Sequence, residues 1–162
     1  MHSEKDRLRG VAFLIGSLSH AAEKNFGMGS LSSCVLAGKK FGQEAVENTE
    51  TTDNVVEAIE ILNRALKKRG IVWDFRPFQG ESENLVKNRE GRQIVRMVFN
   101  TCMVRNALFR YGHEQKLSLC YMSHGVFAGA MEKIMPGRKV ELEILHAGPN
   151  SCLKELIVED AK

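Results

Sequence analysis

The stretch that organises this chain begins Leu119-Cys120-Tyr121-Met122-Ser123-His124-Gly125, runs on as an apolar segment and breaks at Pro136-Gly137. An alternating segment follows, in which Val140, Leu142 and Ile144 interleave with Glu141, Glu143 and Leu145. It closes on His146-Ala147-Gly148-Pro149-Asn150-Ser151-Cys152, and residues 153–158 read as a strand pairing back. The change of apolar period from 3.6 to 2 predicts a helix over 119–135, a strand over 138–145 and a C-terminal hairpin. A cysteine opens the helix, a histidine closes the strand and a second cysteine opens the return strand. The end of a strand and the start of its pairing partner are neighbours, so His146 and Cys152 are expected within metal-bridging reach, with Cys120 nearby. Thiolate and imidazole are ligand types that zinc prefers. Two residues are candidates for a fourth ligand. Cys102 sits just after a predicted strand, at the start of a short predicted helix over 101–110. Glu143 lies three residues before His146, on the opposite face of a regular strand, and needs a bulge to converge.

Outward from this unit, the N-terminal half is helical. Leu8, Val11, Ala12, Ile15, Leu18 and Ala22 recur at helical spacing over 4–26, and Gly27-Met28-Gly29 ends that run. A second helix over 31–47 has Ser30 and Ser32 as capping candidates. It carries Gly38 and Gly42 four apart, on one face. Glycine inside a helix costs about 1 kcal/mol against alanine, and the usual compensation is close approach of another backbone. Gly125 and Gly129 repeat the pair. A tight contact in a homodimer and internal packing explain these glycines equally well. A third helix over 54–69 buries Val55, Ala58, Ile59, Leu62 and Leu66, with Asp53 or Thr52 as its cap. Lys67, Lys68 and Arg69 in its last turn suit the helix dipole. Residues 71–76 then read as a strand, and 84–87 with 93–99 as a hairpin turning at Asn88-Arg89-Glu90-Gly91. The fold class is α+β: N-terminal helices packed on an antiparallel sheet of about five strands, with two further helices inserted before the C-terminal hairpin. At 162 residues the chain is a single domain, 1–162.

The composition excludes several classes. A net charge of +3 with scattered basic residues argues against nucleic acid as a partner. No apolar segment is long enough to cross a bilayer, and the charged start followed by an amphipathic run is unlike a signal peptide. A cytoplasmic location is therefore expected. The four cysteines then read as thiols or metal ligands. Cys34, in mid-helix, reads as core, as a cysteine often does. The chain has no Ser/His/Asp order, no P-loop and no dinucleotide fingerprint, so a non-enzymatic role is favoured over an enzymatic one.

The order of cysteine, glycine-containing helix, Gly137-Arg138, alternating strand with Glu143, then His146, Ala147-Gly148 and Cys152 resembles the 4-vinyl-reductase (hydrocarbon-binding) domain family. That family is related in fold to the sensor domains of phenol-responsive activators and to Golgi transport-complex subunits. The likeness is best over 119–158. It is looser in the N-terminal helices, where Ala37-Gly38-Lys39-Lys40-Phe41-Gly42 is similar to the family's early small-residue helix. The resemblance implies a structural zinc held by Cys120, Glu143, His146 and Cys152, with Cys102 in reserve. The family more often has cysteine where this chain has His146. It also implies an apolar cavity between helices and sheet, for which Trp73, Phe75, Phe99, Met122 and Phe127 are candidate lining residues and His124 and His20 candidate polar groups. Taken singly, each of these is more simply a core residue.

Three functions follow as expectations. The first is a regulatory or sensory domain that binds an apolar or aromatic small molecule beside a structural zinc. The second is a redox- or metal-sensing thiol protein, with Cys120 and Cys152 as its pair. The third is a non-enzymatic assembly subunit acting as a homodimer.

Overall fold

The computed structural model describes residues 4–71, 73–80, 84–102, 104–105 and 117–161. Its helices are α1 (Glu4–Phe26), α2 (Met28–Ala45), α3 (Val55–Lys68) and α4 (Ser118–Ile134). Its strands are β1 (Asp74–Pro77), β2 (Val86–Arg89), β3 (Arg92–Thr101), β4 (Arg138–Ala147) and β5 (Cys152–Asp160). They form one antiparallel sheet of five strands in the order β1-β3-β5-β4, with β2 also paired to β3. This is the predicted α+β class. The helix expected over 101–110 lies largely outside the described residues, and Thr101 is the last residue of β3.

Local chemistry accounts for most of the boundaries. Asn54, rather than Asp53 or Thr52, caps α3: its Oδ1 accepts from Val56 N at 2.9 Å and Glu57 N at 3.2 Å. Thr52 supports it by accepting from Asn54 N at 3.1 Å. Helix α2 has no side-chain cap, and Ser30 instead donates to Gly27 O at 2.7 Å. At the other end of α2, Arg69 donates to Ala45 O at 2.9 Å and Glu44 O at 2.6 Å. One member of the basic trio thus satisfies the last carbonyls of a neighbouring helix. The β2–β3 turn has Glu90 at φ 50° and Gly91 at φ 77°. Positive φ at both central positions suits the right-handed twist of a two-residue hairpin.

The glycine pairs meet each other inside the protomer. A Cβ on Gly38 would overlap Met122 O, and one on Gly42 would overlap Val126 O. Reciprocally, a Cβ on Gly125 would strike Val35 O and one on Gly129 would strike Lys39 O. Helices α2 and α4 therefore cross at backbone contact, and the Lys39–Glu132 ion pair at 2.7 Å flanks the crossing.

Helix α4 covers the inner face of the sheet. Val126, Phe127, Ala130, Met131 and Ile134 pack there on Val95, Met97 and Phe99 of β3, Val140 and Leu142 of β4, and Leu156 and Val158 of β5. The outer face carries ion pairs, among them Arg92–Glu159 at 2.8 Å and Lys139–Glu141 at 2.7 Å.

Helix α1 departs from the usual amphipathic arrangement. Its turned-in residues are small or polar, Gly16 and Ser19 among them, while Leu8, Val11, Leu14, Ile15 and Leu18 lie 47–64% exposed. Glu23 and Ser19 anchor it to α4: Glu23 Oε1 accepts from Ser118 N at 2.9 Å and caps α4 from outside, and Ser19 Oγ pairs with Ser118 Oγ.

Candidate functional site

The alternation of β4 breaks where the sequence places its metal ligands. Ile144 is opposite Lys154, and His146 is opposite Leu153. Leu145 is the extra residue of a bulge. A regular strand would continue the inward series 140, 142, 144 to His146. The bulge instead turns His146 to the exposed outer face and brings Ala147 inward, opposite Cys152. Glu143 is exposed on the same outer face, opposite Glu155. The bulge that would let Glu143 converge with His146 does occur, on the side of the sheet away from the cysteines.

Cys152 is buried on the inner face, and Cys120 is half-buried in the first turn of α4. The four residues expected to hold zinc are thus divided between two faces of the sheet. They do not fit a single metal ion, and among the described residues no group of three or more His, Cys, Asp or Glu is placed to hold one.

What the inner face presents is a lysine. The inward residues of β5 are Cys152, Lys154, Leu156 and Val158. Lys154 is 4% exposed, and its Nζ lies 2.9 Å from His124 Nε2 and 4.6 Å over the Phe99 ring. When Lys154 is an ammonium, which has donors only, Nε2 accepts and His124 is a neutral imidazole protonated on Nδ1. Burial, with the Lys154 charge adding to it, pushes the His124 pKa down to about 3. Burial also depresses Lys154 below the usual lysine range. The thiols of Cys102, Cys120 and Cys152 oppose that shift, and Arg105 adds to it.

Arg105 is the second buried cation. Its Nη1 donates to Phe99 O and Cys152 Sγ, each at 3.5 Å, and its Nη2 to Asn150 O at 2.6 Å and to Asn100 O. One guanidinium thereby ties the end of β3 to the turn before β5. Cys102 is buried just beyond β3, and Cys34 is half-buried on α2.

Beside this polar cluster lies an aromatic one. Trp73, Phe75, Phe99 and Phe127 pack with ring centroids 5.1–6.1 Å apart, in T-shaped and tilted pairs. Four of the expected lining residues are thus in mutual contact, and Phe99 joins them to Lys154 and His124. Met122 is half-buried on α4, and its carbonyl faces Gly38. His20 is exposed on α1. Among the described residues, Trp73 Nε1 is buried without a hydrogen-bond partner. Trp73 also borders a surface depression of 250 Å³, lined by Asn63, Lys67, Gly70, Ile71 and Asp74.

Neither Lys154 nor Arg105 was among the predicted site residues. Lys154 had a signal: the alternation of Cys152, Leu156 and Val158 puts it on the inner face. Arg105 had none, because its partners are carbonyls at the end of β3 and in the turn before β5, together with the Cys152 thiol.

The fold has known counterparts. The chain is similar to the phenol-responsive sensory domain of the transcription activator PoxR, solved with phenol. The TM-score is 0.57 and the identity 13%, over 91% of this chain and 74% of that one. It is also similar to a trafficking protein particle complex subunit 3 from Naegleria fowleri, solved covalently bound to palmitic acid. There the TM-score is 0.56 and the identity 17%, over 98% of each chain. These are the two fold relations that the sequence implied. No protein-family model matches the chain, and no curated protein sequence does.

Proposed function

We propose that the chain is a small-molecule-binding domain of the 4-vinyl-reductase (hydrocarbon-binding) type with a regulatory or sensory role. Its ligand is apolar or aromatic and carries one hydrogen-bond acceptor. The observation that carries this reading is Trp73 Nε1, a buried donor that finds no partner among the described residues, within a cluster of four aromatic rings. An unmet buried donor costs about 1–3 kcal/mol. Apolar sites with a few placed polar groups are the usual form of ligand pockets. A ligand oxygen that accepts from the indole offsets the cost while its apolar body meets Phe75, Phe99 and Phe127. Lys154 and His124 supply polar groups at the far side of Phe99. The likeness to a phenol-responsive domain supports the chemistry, since phenol is a ring with one hydroxyl.

The single tryptophan is its own reporter. Titration with phenol and with larger apolar aromatics is expected to change Trp73 fluorescence saturably. Calorimetric binding is expected to be lost in Trp73→Phe. A folded protein that binds no member of such a series, or a Trp73→Phe variant that binds as well as wild type, would remove this reading.

The assembly-subunit reading rests on a different observation. The exposed apolar stripe of α1, with Met28 and Leu36 exposed on α2, suits a helix of a second copy. We read the two as compatible: a ligand-binding protomer within a homodimer.

A further inference from the structure

We propose that Lys154 stands where the resemblance puts a metal ion, so that the thiols of Cys102, Cys120 and Cys152 and the imidazole of His124 gather around a cation of the chain itself. The two halves of the expected ligand set are parted by the bulge at Leu145, with Glu143 and His146 outside and Cys152 inside. The inner half is already served. Lys154 reaches in from β5, on the same face as Cys152, to within 2.9 Å of His124 Nε2, one turn beyond Cys120 on α4. Arg105 approaches Cys152 Sγ from another side at 3.5 Å and holds the hairpin turn through Asn150 O. A zinc ion entering this cluster would bring a double positive charge beside two buried cations that have no carboxylate between them among the residues contacting them here. The joint between helix and hairpin that a metal would make is made instead by Lys154 to His124 and by Arg105 to the turn. Cys152 Sγ accepts from Arg105 rather than ligating a metal.

This assignment goes beyond the small-molecule reading and rests on observations other than the Trp73 indole. Its test is cobalt(II) binding by the reduced 162-residue chain, read from the thiolate-to-cobalt charge-transfer band, with zinc content measured in parallel. Wild type is expected to show no band and no zinc that depends on Cys120 or Cys152. Lys154→Ala removes the competing cation and opens space among the thiols; a band is expected to appear and to vanish again when Cys120→Ser is added. Stoichiometric metal on wild type, lost in Cys120→Ser or Cys152→Ser, would overturn the proposal and leave ligand binding at Trp73 untouched. A folded Lys154→Ala protein that stays silent would overturn it as well. The wild-type measurement needs no variant and decides alone if Lys154→Ala does not fold.

Discussion

Acidification should weaken this protein through His124. The imidazole is neutral in the folded state, with a pKa of about 3 against an ordinary 6.5 in the unfolded chain. A histidine whose folded value is depressed contributes stability above its unfolded value, and that contribution is lost as pH falls toward the folded value. The unfolded state takes up the proton first, so the window runs from pH 6.5 down to about 3. Each unit of difference is worth about 1.4 kcal/mol, so the loss is about 2 kcal/mol between pH 7 and pH 5 and approaches about 5 kcal/mol at the acid limit. Against a typical domain stability of about 5–15 kcal/mol, that is a large fraction. The groups facing the ring are Lys154 from β5 and Tyr121 on its own helix, with the Tyr121 ring centroid 5.7 Å away. Cys102, Cys120, Cys152 and Arg105 act on Lys154 behind it. The folded value of Lys154 is also depressed by burial, so its charge opposes folding until the pH rises toward the unfolded value of 10.5. The measurement is urea denaturation of wild type and His124→Gln at pH 7, 6 and 5. Glutamine retains an acceptor for Lys154 but does not titrate, and the carboxylates common to both proteins cancel in the difference. The advantage of wild type over His124→Gln is expected to shrink by about 2 kcal/mol from pH 7 to pH 5. A difference that stays constant over that range would refute the buried neutral imidazole.

Two further expectations follow from the helices. Gly125→Ala puts a methyl group into Val35 O, and neither helix backbone can yield locally. Its cost is expected at about 3 kcal/mol, the upper end of ordinary overpacking, read as a lower denaturation midpoint. In the homodimer reading, Leu14→Glu with Leu18→Glu charges the exposed stripe of α1 and leaves the protomer core untouched. Four leucines per dimer at about 2 kcal/mol each would move a micromolar dimer to monomer in sedimentation equilibrium, with the circular dichroism spectrum unchanged. A wild-type chain that is monomeric at high concentration would end that reading.

Much of the architecture was written locally. Residues 4–26 and 119–135 show helical periodicity, and the helices run over 4–26 and 118–134. The hairpin expected to turn at Asn88-Arg89-Glu90-Gly91 is present, with the turn tightened to Glu90-Gly91, both at positive φ, and Asn88 and Arg89 paired in β2. The glycine pairs announced a close backbone approach, because nothing else offsets glycine in a helix interior. That the approach is α2 on α4, rather than a second copy, depended on which helices the topology makes adjacent.

The 119–152 region divides along the same line. Short-range alternation determined that it is a helix, a strand and a returning strand, and that Cys152 faces inward. Alternation also determined the inward position of Lys154, although its burial beside a histidine and three thiols required α4 and the end of β3 to come together. What only the tertiary structure decided is the side of the sheet on which His146 lies. One additional residue at Leu145 inverts every side chain after it, and its energetic reason is the pairing of β4 with β5. Strand register is a property of two chain segments, so no period within one of them records it. The aromatic cluster follows the same rule: Trp73, Phe75, Phe99 and Phe127 were legible one by one as apolar, and the sheet and helix together left the Trp73 indole without an acceptor among the described residues.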